Sequence, residues 1–437
     1  MKKKIFIIVS LFLVIFTLAS CNNKPVDKLE SKEVNKYVLQ EQEACFRFFW
    51  ETQNVTEDSK AYGLIPDRFP NNGLASIASV GFGLAGFCVG VQNDWITEEE
   101  ARQRAVDTLR AIDELATIEG YYYHFYTYRT GAPASGSEIS NIDTAILIAG
   151  ALMAGEYFGG EVKKLANKIY DEVNWPWYIN PDTNQFYMGY DPEKKEFSGA
   201  WDFYGEQLMM YFLAAGSKTH PIEKKVYDKF TKHLGVYQGG NGEAYMFYHS
   251  WFGSIFTYQF SHAFVDFRNI VDANGIDWYE NSVKATKAAR QYCIDNPEGF
   301  VAFGPNAWGL TACDTPTGYS GLLGNPPSGY SNDSHKNDGT IATAGSIGSM
   351  PFLPKEVTDS VVNYYTLLDG KLVGKYGLYD SFNLEHNRVW IGKDVIGIDK
   401  GISLLMIENY RSELIWKYFM QADFMDQAIE VLGFEEA

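Results

Sequence analysis

Apolar and polar residues follow one another along this chain in two helical styles. In the first, one face is apolar and the opposite face charged. Thr97 followed by Glu98, Glu99 and Glu100 predicts a capped helix start, and Ala101, Ala105, Leu109, Ile112 and Leu115 then recur on one face. The same style predicts helices at 161–174, 221–234, 278–295, 355–369 and 412–432, with Pro221 in the first turn of its helix. In the second style the residues are apolar or small on nearly every side, as in a helix surrounded by protein. Such segments run over 76–92, 141–158, 200–216, 252–273, 339–349 and 399–410. A leading helix is predicted at 36–53. Six buried helices alternating with six half-exposed ones predict an all-α fold, an (α/α)6 barrel with an inner and an outer ring and an extra N-terminal helix.

The connections sharpen this picture. Links from an inner to an outer helix are short, such as Gly159-Gly160. Links from an outer to an inner helix run to roughly 17 to 43 residues and are rich in Gly, Pro, Asn and aromatics, and loops of that length are usually functional. By alternation they fall on one face, where the inner helices start. Nothing after residue 36 reads as a linker, so 36–437 is expected to be a single domain.

Residues 1–21, MKKKIFIIVSLFLVIFTLASC, carry a basic start, an apolar run and a small-residue end, the pattern of an export signal. Leu18-Ala19-Ser20-Cys21 resembles a bacterial lipobox, so Cys21 is the expected lipidation site, and 22–35 reads as a polar tether. The expected location is a membrane-anchored lipoprotein of the periplasm or outer membrane. Cys45, Cys88, Cys293 and Cys313 lack CxxC spacing and are expected to be buried thiols. The net charge of −18, with no basic run beyond the N-terminus, argues against nucleic acid or an anionic membrane surface as partner. The aromatic share of 16% supplies core, and also flat faces on which sugar rings stack. No G-x-S-x-G elbow, P-loop or dinucleotide fingerprint is present, and no cofactor is expected.

Acidic and aromatic residues gather at the starts of the inner helices. AWDFYGEQLMMYFLAAG (200–216) places Trp201, Asp202, Tyr204 and Glu206 at the mouth of a buried segment, with Asp202 and Glu206 four apart on one helical face. Carboxyl groups whose surroundings push their pKa values apart suit general acid–base work. Complementing the helix N-terminus is the simpler role, and it accounts better for Asp202 than for the deeper Glu206. Glu138 and Asp143 open 141–158, where Ser140 with Asp143 also fits a capping box. Asp399 opens the last inner helix, either as its cap or as a base facing Glu206 across the axis. The stretch 249–268 carries His249, Trp251, His262, Asp266 and Arg268. His262 and Asp266 have i, i+4 spacing, but no third ligand accompanies them, so a buried network or sugar-hydroxyl contacts are expected in place of a metal. NDSHKNDG (332–339) lacks the glutamate of a calcium loop.

Six stretches resemble the bacterial glycoamylase-like family, glycoside hydrolase family 144. They are SEISNIDTAILIAGAL (137–152), WDFYGEQ (201–207), WGLTACDTPTGY (308–319), NDGTIATAGSIGSMPF (337–352), YGLYDSFN (376–383) and IGIDKGISLLMIENYRSELIW (396–416). The resemblance implies an (α/α)6 barrel that hydrolyses β-1,2-glucan or its oligosaccharides by inversion, releasing sophorose or short oligosaccharides. Glu206 would then protonate the leaving oxygen, and Asp399 or Asp143 would activate water. Trp201, Tyr204, Trp251, Trp308 and Tyr319 would stack on glucose. Glu138, Asp202, His249, His262, Asp266, Arg268, Asp314 and Asp380 would take hydroxyls. Where the family commonly has Gln and then Gly-Pro after the aspartate, Lys400-Gly401-Ile402 follows here, and a lysine beside the candidate base bears on its pKa. The enzyme is expected to act as a monomer. A non-catalytic carbohydrate-binding lipoprotein, or a polysaccharide lyase on the same barrel, would fit the same pattern. A lyase wants a basic cleft, and this chain is acidic.

Overall fold

A computed structural model describes residues 26 and 28–437. The export signal and Cys21 lie outside the described residues. Among the described residues the chain forms 14 α-helices, and the amphipathic ones follow their local signals closely. Glu98–Asp113 starts in the expected capping box: Glu100 N donates to Thr97 Oγ1 at 3.3 Å and Thr97 N donates to Glu100 Oε2 at 3.0 Å. Trp278–Asp295 starts where Asp277 caps Glu280 N at 2.8 Å. Lys36–Thr52, Gly160–Asp171 and Pro354–Thr366 complete this group.

The buried helices form the inside of an α/α-barrel type fold. Every residue of Ile77–Gln92 is buried, and that helix packs between Asn141–Phe158 and Gly397–Ser412. Its contact with Asn141–Phe158 is backbone-close, since a Cβ on Gly150 would lie 1.9 Å from the Gly81 carbonyl oxygen. Leu208–Ala215, Phe260–Phe264 and Thr343–Ile347 are shorter buried helices.

Several expectations are corrected. Within the helix-rich fold, the long loops contain short antiparallel strands that the periodicity did not predict. Leu74–Ser76, Ile139–Ser140, Thr340–Ala342 and Val395–Ile396 run directly into the four buried helices that follow them. Each pairs with a loop strand, Ser76 with Phe125, Ser140 with Gly189, Ala342 with Ser381 and Ile396 with Arg68. Segment 200–207 is not helical: Phe203 and Tyr204 bridge to Thr231 and Ser250, a bend and turn follow at 205–207, and only Leu208–Ala215 is helical. The 221–234 helix shrinks to Lys224–Asp228, so Pro221 precedes it. Alternating side chains then form a hairpin of Leu234–Gln238 with Ala244–Tyr248. The 252–273 and 412–432 segments break into shorter helices. The described part of 22–35 is no free tether. Gln92 holds Leu29 at both N and O, at 3.1 and 2.7 Å, and Lys32 N bonds to Arg411 O at 2.8 Å. Cys45, Cys88, Cys293 and Cys313 are buried free thiols, as expected.

Candidate active site

Asp202 and Glu206 line a cleft of about 460 Å³. One wall is the 201–206 segment, and the other comes from Ser250–Phe252, Phe256, Thr257 and Tyr319. Trp201 is fixed by its indole N–H, which donates to Asn141 Oδ1 at 3.1 Å. Phe203 stands edge-on to Trp251 with ring centres 5.5 Å apart, and Trp251 is 41% exposed along the cleft. Tyr319 is 52% exposed and gives a second open aromatic face. Tyr204 stacks on Trp278 at 5.0 Å and is buried. Asp202 is exposed at the rim. Because 201–207 lies outside any helix, Asp202 and Glu206 do not share a helical face.

Glu206 sits directly before the Leu208–Ala215 helix, lining the cleft. Burial raises its carboxyl from the ordinary 4.5 to about 7, and the Asp143 charge pushes the same way. Asp143 lies in the first turn of Asn141–Phe158, where its N–H donates to Ser140 Oγ at 3.2 Å and its Oδ2 accepts from the same hydroxyl at 2.5 Å. Its Oδ1 lies 3.7 Å from His124 Nε2, and His124 Nδ1 lies 2.8 Å from Glu138 Oε1. Hydrogen bonding to His124 lowers the Glu138 pKa. At the start of Gly397–Ser412, the half-buried Asp399 pairs with the buried Asp380. Asp380 Oδ2 accepts from Asp314 N at 2.7 Å, while Oδ1 meets no N–H or O–H donor. Burial, then repulsion from Asp380, raises Asp399 well above the carboxylate range, and burial raises Asp380 too.

Arg68 ties the two halves together. Its guanidinium lies 3.3 Å from Asp67, 3.1 Å from Asp314 and 3.2 Å from Asp394. Lys400, next to Asp399, is held by Glu41 at 2.6 Å and by the Leu378 carbonyl at 2.7 Å. Its charge still lowers the Asp399 pKa, but less than burial and Asp380 raise it.

Five candidates belong elsewhere. His262 is buried with Nε2 on Ser282 Oγ at 2.8 Å, and burial lowers its pKa to about 3, so it is a neutral core side chain. Arg268 pairs with Asp266 at 2.7 Å and Glu413 at 2.8 Å. Glu413 caps the far end of Gly397–Ser412, about 20 Å along the helix from Asp399. Trp308 is fully buried in the core. His249 is also buried, bonded to His233 at 2.7 Å behind Phe203, and it supports the cleft wall without lining it. The sequence reading missed Asp67, Arg68, His124, Phe203 and Asp394. His124, in YYYHFYTYRTG (121–131), is a polar break in an aromatic run and was the one readable signal among them. Among the described residues, no group of three or more His, Cys, Asp or Glu is placed to hold a metal.

A helical barrel with a carboxyl group, Glu206, set in an aromatic cleft has the form of a sugar-processing enzyme. The Glycoamylase family model, described as "Putative glucoamylase", matches residues 198–423, and the chain belongs to that family. The exo-β-1,2-glucooligosaccharide sophorohydrolase (non-reducing end) of Parabacteroides distasonis is 27% identical over 430 residues, covering 89% of this chain and 56% of the relative. The chain therefore spans about half the length of that curated relative. The endo-β-1,2-glucanase of Chitinophaga pinensis, solved with sophorotriose and glucose, superposes with TM-score 0.80 at 26% identity, over 92% of this chain and 99% of that one. A β-1,2-glucanase structure from Parabacteroides distasonis gives 0.78 at 25% identity, over 91% and 60%.

Proposed function

We propose that this chain is a glycoside hydrolase that cleaves β-1,2-glucan or β-1,2-glucooligosaccharides with inversion and releases sophorose or short oligosaccharides. Six inner and six outer helices behind the Lys36–Thr52 helix would form its barrel. The setting of Glu206 carries the reading: a carboxyl that keeps its proton near neutral pH, in an aromatic-walled cleft, with the Asp143 carboxylate close enough to act on it. Glu206 gives its proton to the glycosidic oxygen as the bond to the anomeric carbon breaks. Asp143 takes a proton from the water that attacks the opposite face. The Asp380–Asp399 pair is the alternative base, but the field felt by Glu206 comes from Asp143. An inverting pair needs room for that water, about 6.5–9.5 Å between carboxyl groups. The β-1,2 linkage is supported by the names of the three relatives. Trp251 and Tyr319 offer the stacking faces, and an acidic cleft suits a neutral glucan better than a uronate polymer.

Incubation with linear β-1,2-glucan, followed by a reducing-sugar assay and proton NMR of the first anomer formed, tests both linkage and stereochemistry. Hydrolysis of maltooligosaccharides with none of β-1,2-glucan would refute the substrate. A retained anomer would refute the inversion. Binding without cleavage would point to a carbohydrate-binding protein, and a product absorbing near 230 nm to a lyase. The chain is further proposed to be exported and lipid-anchored through Cys21. Cys21→Ala should release active, soluble protein, and unchanged membrane fractionation of that variant would refute the anchor.

A further inference from the structure

We propose that His124 is a positioning residue: set between Glu138 and Asp143, its ring holds the Asp143 carboxyl group oriented for the attack of water. The inference rests on Asp143 being the base of the proposed reaction. Both ring nitrogens face carboxylate oxygens, Nδ1 at 2.8 Å from Glu138 Oε1 and Nε2 at 3.7 Å from Asp143 Oδ1. A neutral imidazole carries one N–H, so it would turn a lone pair toward one of the two. Only the doubly protonated ring suits both neighbours.

The backbone holds the ring where it is. His124 N donates to Glu138 O at 3.0 Å, and His124 O accepts from Ile77 N at 3.1 Å, at the start of an inner helix. The Phe125 ring stacks on the imidazole at 3.7 Å. Burial alone would lower the pKa of this histidine. The charges of Asp143, Glu138 and Asp67 reverse that and lift it to about 9. Asp67 is itself held by Arg68. The imidazolium therefore sets a positive charge beside the base.

The test is kcat and KM on a β-1,2-glucooligosaccharide for wild type, His124→Gln and Asp143→Asn. Glutamine keeps a donor near Glu138 but cannot serve both neighbours. His124→Gln should lower kcat by about 10–100-fold while leaving KM and the unfolding temperature unchanged, a split that a purely structural defect would not produce. A folded His124→Gln with wild-type kcat, beside an inactive Asp143→Asn, overturns the positioning role and leaves Asp143 as base. An active Asp143→Asn overturns the base assignment, and this inference with it. Should His124→Gln not fold, proton NMR of the wild-type protein decides. One histidine titrating near pH 9 is expected, and none titrating above pH 8 refutes the bridge.

Discussion

Glutamine at position 206 keeps the shape of the side chain and removes the proton it gives. The expected loss follows from the burial of Glu206. At an ordinary pKa of 4.5 a glutamate carries its proton about 0.3% of the time at pH 7, whereas at about 7 it does so about half the time. Burial therefore enlarges the acid form roughly 150-fold at that pH. Positioned proton transfer contributes about 10²–10⁴-fold, so a folded Glu206→Gln should lose at least about a hundredfold in kcat while KM changes little. Wild-type kcat/KM should fall through an alkaline limb centred near pH 7, and that limb should vanish in the variant. Stability gives an independent check. The native protein retains a proton that the unfolded chain releases between pH 4.5 and about 7, so this group costs nothing below pH 4.5 and its full penalty above pH 7. Glu206→Gln should thus be more stable than wild type at pH 8, by up to about 3 kcal/mol, and equal to it at pH 4. Turnover on β-1,2-glucan across pH 4–9, with thermal unfolding at both ends, measures all of this. Near-normal turnover in a folded Glu206→Gln, or a wild-type profile flat from pH 6 to 8, would refute the assignment.

Trp251→Ala removes an exposed cleft face and should raise KM for oligosaccharide about tenfold, equivalent to about 1.4 kcal/mol, while leaving the unfolding temperature unchanged. Lys400→Met strands the buried Glu41 carboxylate among Tyr365 OH and Leu378 N, and urea unfolding should show a loss of about 3–5 kcal/mol. Glu41→Gln combined with Lys400→Met should recover most of that loss, because no unpaired charge is then buried.

Where a short-range rule governs, the sequence alone was sufficient. The start of Glu98–Asp113 follows from Thr97 and Glu100, and the start of Trp278–Asp295 from Asp277, because a cap is a contact across three residues. Continuous apolar stretches identified Ile77–Gln92 and Asn141–Phe158 as surrounded helices, since no other placement hides them on every side. The concentration of acids where inner helices begin was legible for the same reason, and Glu206, Asp143 and Asp399 all lie at such starts. Tertiary structure decided the rest. Segment 200–207 has a helical pattern, yet backbone pairing of Phe203 and Tyr204 with Thr231 and Ser250 keeps it out of the helix and in the cleft wall. His262, Asp266 and Arg268 look in sequence like site residues, but burial makes the first a core group and a cation-bridged carboxylate pair holds the other two at the far end of the barrel. Asp67, Arg68 and His124 come from loops, and only the pairing of Arg68 with Ile396 and of His124 with Glu138 brings them to the acids they hold. The proton on Glu206 is likewise a tertiary property, because a carboxyl shifts its pKa only when distant segments take away its water and set a second charge beside it.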